Sequence, residues 1–261
     1  MLKVIFVDID WTILDHSVQP AQFDIKSIEI LKICQEKGIK VFICSARPYH
    51  AIRQIKLFDL FSPDGVIASN GGVIFYKDKI IYQTLIARED FEQLCETANE
   101  VGANVEGIRP YDCFLINDNY EHIKNVHKSY PEEMPLIEDY HNQDVLGVGL
   151  FIDEQYDDLF KKACPNLKYY YRFHPSGVDI ANEIHDKGES VKRVLSYLNI
   201  SKEEAASFGD DSQDITMLKE TKYSFAMDNA KDEVKQVAYK ITKSVSESGV
   251  AFALENLLDL K

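Results

Sequence analysis

Residues 3–7 form a short apolar run rich in β-branched side chains, and the run stops abruptly at Asp8 and Asp10. Hydrophobicity without alternation predicts a strand buried on both faces, as at the centre of a parallel sheet. Ligands of such sheets bind beyond the carboxyl ends of the strands, which is where Asp8 and Asp10 fall. Two carboxylates crowded there repel each other unless a cation or a shared proton relieves them. Read alone, the segment also admits an ordinary polar turn.

The same texture recurs along the chain. Residues 22–37 place Ile28, Leu31 and Cys34 on one helical face, and Gly38 closes the helix. Residues 39–44 read as a second strand leading into Ser45-Ala46-Arg47-Pro48. Pro48 suits a helix start, so Ser45 and the following backbone N–H groups stand where an anion can be held. A strand at 66–68 and a hairpin of 73–76 with 79–82 across Lys77-Asp78 follow. The β-α order resumes with a helix at 187–198, a strand at 205–208 and the acidic junction Gly209-Asp210-Asp211-Ser212-Gln213-Asp214, whose helix runs through Leu218. A strand at 223–227, a helix at 231–237, a strand at 239–242 and a helix at 249–258 complete it. This alternation predicts an α/β, Rossmann-like parallel-sheet core assembled from residues 1–83 and 185–261.

Residues 84–184 read differently, as an inserted α+β module. Helices are expected at 89–101, 121–127 and 153–163, with strands at 114–116, 145–152, 169–173 and 178–180. Gly147 and Gly149 mark a bulge or a close approach in the second of these strands. Tyr169-Tyr170-Tyr171 and Phe173 read as packing rather than as a nucleic-acid stacking surface, because no basic groove accompanies them.

A formal charge of −14 argues against nucleic acid and anionic membranes as partners. It leaves room for a small anionic substrate, since one metal ion and one or two basic side chains reverse the potential locally. The chain enters its first strand without a leader-like segment, and no stretch is apolar for long enough to span a bilayer. Cys34, Cys44, Cys95, Cys113 and Cys164 are scattered and odd in number, so reduced thiols and a cytoplasmic setting are expected.

Three strand ends thus carry polar groups: Asp8 with Asp10, Ser45, and Asp210 with Asp211 and Asp214. Hard oxygen donors without a paired Cys/His motif favour Mg²⁺ over zinc. Asp211 serves either such a metal shell or the terminus of the helix that follows it.

Asp8-Ile-Asp10-Trp-Thr12-Ile-Leu14, Ser45 in Ser-Ala-Arg-Pro, Lys187 in Asp-Lys-Gly, and Gly209-Asp210-Asp211-Ser212-Gln213-Asp214 together resemble the four motifs of the haloacid dehalogenase superfamily. The likeness is to its capped sugar-phosphate phosphatases and spans nearly the whole chain, with 84–184 resembling the type IIB cap. The resemblance implies a Mg²⁺-dependent phosphatase of small phosphomonoesters, sugar phosphates among them. Asp8 would be the nucleophile and Asp10 the acid and base, with Asp10 also lending its backbone carbonyl to the metal. Ser45 and Lys187 would hold phosphoryl oxygens, Asp210 would ligate Mg²⁺, and Asp214 would act through water or orient the shell. The partner implied is a small phosphorylated metabolite. A sugar phosphomutase and a weakly catalytic phosphometabolite-binding protein are the alternatives. Trp11, Ala46, Gln213 and Asp228 depart from the family pattern; Trp11 and Asn229, with Arg47 and Asp179, are the expected selectivity residues.

Overall fold

The computed structural model describes residues 1–116, 136–139, 143–152, 154–171 and 177–259. The helix expected at 121–127 and the residue Phe173 lie outside them. The chain divides into two compact units: Met1–Ala46 with Lys56–Ile81 and Asp186–Lys261, and Arg47–Ile55 with Tyr82–His185.

The first unit is built on β1 (Val4–Val7), whose four side chains are wholly buried. Short strands β2 (Leu14–Asp15) and β3 (Gln22–Phe23) pair with each other, so α1 (Ile25–Glu36) starts later than its amphipathic pattern alone predicts. Then come β4 (Lys40–Cys44), α2 (Tyr49–Gln54), which belongs to the second unit, α3 (Leu57–Leu60), β5 (Gly65–Ala68), β6 (Val73–Tyr76) and β7 (Lys79–Gln83). Lys77 and Asp78 both have positive φ, 49° and 63°, the conformation a two-residue hairpin turn needs. The eight-stranded sheet has the order β16-β15-β14-β1-β4-β5-β6-β7 once the C-terminal strands below are added. β1 lies between β4 and β14, parallel to both. Helices such as α1 cover it, and Ile28, Leu31 and Cys34 are buried as the helical spacing predicts.

The second unit contains α4 (Arg88–Val101), β8 (Asn104–Ile108), β9 (Cys113–Ile116), β10 (Leu136–Ile137), β11 (Gly147–Phe151), α5 (Asp157–Ala163), β12 (Leu167–Tyr171) and β13 (Val178–Asn182). Its mixed sheet has the order β10-β9-β8-β11-β13-β12. One sheet face packs with α4 and α5 through Phe91, Leu94, Val105, Phe114, Val148 and Phe160. Burying a side chain of this size contributes about 1.5–3 kcal/mol. Gly147 pairs with Ala181 and Gly149 with Asp179 in unbroken register, so neither glycine makes a bulge. A Cβ on Gly147 would come within 3.0 Å of the Ile180 carbonyl, so close approach explains that glycine. Tyr169 packs beside this core and donates its hydroxyl proton to the carbonyls of Phe160 and Cys164.

After the insertion the first unit continues through α6 (Lys187–Leu198), β14 (Ala205–Gly209), α7 (Ile215–Lys219), β15 (Tyr223–Ala226), α8 (Asp232–Val237), β16 (Lys240–Ile241) and α9 (Gly249–Leu257). The fold is therefore α/β, with a parallel-sheet core and a separate mixed-sheet insertion. No helix among the described residues is long and apolar enough to cross a membrane.

Candidate active site

Parallel register sets the site. Val7 aligns with Phe208 of β14 on one side and Ile43 of β4 on the other, so Asp8, Gly209-Asp210 and Cys44-Ser45 leave the sheet at the same end. The Asp8 amide donates to the Phe208 carbonyl at 3.1 Å. Ser45 is buried, its amide donating to the Ile67 carbonyl and its carbonyl accepting from the Asn70 amide. Lys187 opens α6, behind an N-cap in which Asp186 accepts from the Glu189 amide at 3.0 Å. Two glycines let these elements converge. A Cβ at Gly188 would approach the Thr216 backbone to 2.6 Å, and one at Gly209 would reach the Asp214 side chain at 2.5 Å.

Lys187 is fully enclosed and donates to Asp8 Oδ1 at 2.7 Å and to Asp214 Oδ1 at 2.6 Å. The other oxygen of Asp214 accepts from the amides of Asp210 and Asp211, each at 3.0 Å. Thr12 donates to Asp210 Oδ1 at 3.3 Å. Asp8, Asp210 and Asp214 each offer an oxygen within 4.8 Å of the others. Burial first, then the charges of Asp214 and Asp10, push the Asp8 carboxyl up to about 8 against the pull of Lys187. Burial and the neighbouring Asp8 and Asp214 push Asp210 up to about 9. Burial opposes the Lys187 charge, yet Asp214 and Asp8 outweigh it and hold the ammonium well above its usual range. One cation cannot balance three ionised carboxylates, so Asp8 and Asp210 hold their protons until a further cation is supplied, and all the donors are hard oxygens. Such a site fits Mg²⁺.

Asp10 stands at the rim, where His16 Nε2 lies 2.7 Å from its Oδ1. Sequence reasoning missed His16, because only the turn between β1 and β2 brings it back to Asp10. Trp11 has φ 57°, a left-handed conformation that glycine adopts freely. Its ring packs against His16 at 5.4 Å, and its carbonyl accepts from Asn229 Nδ2 at 2.9 Å. Asn229 Oδ1 accepts from the Val245 amide, so both ends of that amide side chain hold backbone. Asp211 caps the turn leading to α7 and pairs with Lys231, apart from the three-carboxylate cluster. Asp228 is exposed, with Lys235 at 3.7 Å. Arg47 and Asp179 belong to the other unit, Asp179 on β13 opposite Gly149.

The haloacid dehalogenase-like hydrolase family matches residues 5–254. The chain belongs to that family. Phosphoglycolate phosphatase 1 of Saccharolobus solfataricus is 26% identical over 263 residues, covering 99% of this chain and 96% of that protein. The phosphatase BT1666 of Bacteroides thetaiotaomicron has a solved structure that superposes with a TM-score of 0.82 at 26% identity, covering 98% of this chain and 95% of the other. The subclass IIB sugar phosphatase BT4131 shares the fold, with a TM-score of 0.79 at 24% identity over 98% of each chain. Family membership makes this protein a phosphomonoester hydrolase, and the organic groups named for its relatives differ.

Proposed function

We propose that the protein is a Mg²⁺-dependent phosphatase of small phosphomonoesters, sugar phosphates in particular, that works through an aspartyl-phosphate on Asp8. The observation that carries this reading is the buried Asp8–Lys187–Asp214 triad beside Asp210. An Asp8 oxygen forms a bond to phosphorus as the ester oxygen leaves, and Asp10 gives that oxygen its proton. Asp10 then takes a proton from water as the water oxygen attacks phosphorus, the Asp8–phosphorus bond breaks, and inorganic phosphate departs. Both carboxylates return to their starting states. Lys187 and Ser45 hold phosphoryl oxygens throughout.

The Asp8 and Asp210 carboxylates and the Asp10 backbone carbonyl would hold Mg²⁺. Asp214 already spends its oxygens on Lys187 and two amides, which suits it to orienting the shell. When bound, the ion supplies positive charge that keeps Asp8 ionised and offsets the phosphoryl oxygens. In this reading His16 orients the Asp10 carboxyl. Residues 84–184 act as a cap that selects the organic half of the substrate, with Trp11, Arg47 and Asp179 contributing.

Phosphate release from a panel of sugar phosphates and other monoesters, comparing wild type with Asp8→Asn, tests the reading. Turnover with Mg²⁺ that disappears in the variant supports it. Isomerisation of a sugar phosphate without phosphate release would replace it with a mutase, and turnover retained in Asp8→Asn would remove Asp8 as nucleophile.

A further inference from the structure

The inserted unit holds a second group of metal-ligating side chains, of different chemistry from the first. His50 comes from α2, Glu106 from β8 and Cys113 from the start of β9, and each offers a ligand atom within 4.8 Å of the other two. Strand register explains how two of them meet. β8 and β9 are antiparallel, with Glu106 opposite Leu115 and Ile108 opposite Cys113. Directly opposed residues point to the same face, so Glu106 and Cys113 share one face of the sheet. Val105, Phe114 and Ile116 take the other face and fill the core beneath α4 and α5. The segment carrying α2 belongs to the same unit, and Tyr49 meets Tyr111 edge-on at 6.0 Å, which brings the neighbouring His50 to this face.

The three ligand atoms stand close enough together to converge on one ion. His50 Nε2 lies 3.9 Å from Glu106 Oε1, too far for a hydrogen bond. Ligands of a tetrahedral ion bound at about 2.0–2.3 Å stand roughly 3.3–3.8 Å from one another, so small side-chain rotations would close the set. His50 Nδ1 is buried without a hydrogen-bond partner, which costs free energy unless that nitrogen itself is engaged, and either ring nitrogen of a histidine can ligate an ion.

We propose that His50, Glu106 and Cys113 form a Zn²⁺ site, with a fourth position open to water. One nitrogen, one oxygen and one sulfur suit a borderline ion, whereas the all-oxygen Asp8–Asp210–Asp214 set suits Mg²⁺. The ion would tie α2 to the sheet of the inserted unit. The two sites share no residue, so this inference stands or falls independently of the phosphatase reading.

Cobalt is the optical probe, because a thiolate ligand gives a sulfur-to-cobalt charge-transfer band that an oxygen-only site cannot. Metal-free, reduced protein is titrated with Co²⁺ in excess Mg²⁺, which occupies the carboxylate cluster. The expected result is one equivalent bound with that band and displaced by Zn²⁺. The band is lost in Cys113→Ser and kept in Cys34→Ser, and affinity falls at least about tenfold in His50→Gln and Glu106→Gln. Zn²⁺ should raise the melting temperature of wild type more than that of His50→Gln at the same concentration, circular dichroism establishing that each variant is folded. No charge-transfer band in wild type, a band that survives Cys113→Ser, or equal Zn²⁺ stabilisation of His50→Gln would overturn the site.

Discussion

The two sheets of this protein carry their chemistry in different places. The parallel sheet is covered on both faces, so β1 is apolar from end to end and its polar groups collect at the strand ends. The mixed sheet packs α4 and α5 on one face, so β8 alternates, with Val105 in the core and Asn104 and Glu106 turned the other way. A doubly covered sheet offers its ends for function, whereas on the mixed sheet the face turned away from α4 and α5 also holds polar groups, Glu106 and Cys113, beside the buried Ile108 and Leu115.

The largest expected effect strikes at a strand end. Lys187→Met removes the only cation touching Asp8 and Asp214 among the described contacts. It should abolish phosphate release and destabilise the metal-free protein by about 3–5 kcal/mol, because breaking a buried ion pair leaves charge unpaired. Urea denaturation beside an activity assay checks both. Stability within about 1 kcal/mol of wild type would show that these charges are better solvated than their burial implies.

Asp8→Asn should lower turnover at least about a thousandfold while leaving the metal-free protein as stable as wild type or more so. The variant removes a carboxylate that its surroundings oppose. A lower melting temperature than wild type would contradict that account. The same crowding predicts an unusual pH dependence. Asp8 and Asp210 have folded-state pKa values raised to about 8 and about 9. The stability they contribute is thus full below about pH 4, where both are protonated even when unfolded, and is lost as pH rises through 8 and 9. Melting temperatures in EDTA should fall across this window, and Mg²⁺ should flatten the fall. A fall unaffected by Mg²⁺ would place its origin elsewhere.

Smaller effects lie at the rim. His16→Ala frees the Asp10 carboxyl and should lower kcat by about three- to tenfold on esters with poor leaving groups, and less on activated esters that need little acid assistance. Equal losses on both would argue against orientation of the proton donor. Trp11→Gly relieves a left-handed backbone at a cost in ring packing, so a gain of only about 0.5 kcal/mol is expected from denaturant midpoints. A loss above about 1 kcal/mol would mean that the His16 contact outweighs the strain.

The contrast between the sheets also explains what the chain discloses before folding. Apolar runs followed by Asp or Ser mark the ends of β1 and β4, and Gly209-Asp210 ends β14, so Asp8, Ser45, Asp210 and Asp214 are legible as candidates from the strands, whereas Lys187 is reached only through the family resemblance. The structure brings Asp8, Lys187, Asp210 and Asp214 together. The strand β8 was missed, since Asn104-Val105-Glu106-Gly107-Ile108 mixes polar residues with a glycine of poor strand propensity. Pairing with both β9 and β11 makes it a strand nonetheless. His50 and Cys113 were unreadable as a pair for the same reason: their meeting depends on β8. Asn229 illustrates the remaining limit. Its partner Trp11 is 218 residues away, and no local pattern specifies a contact at that separation.

The position of β1 between β4 and β14 sets a schedule for synthesis on the ribosome. β4 follows β1 within about forty residues, but β14 does not emerge until the whole insertion has been translated. Until then the apolar strand at the centre of the finished sheet has one unpaired edge, the template on which aggregation begins. The carboxylates at residues 8 and 210 meet only when that edge is filled, so the nascent chain completes its three-carboxylate cluster and covers its exposed strand edge in a single event.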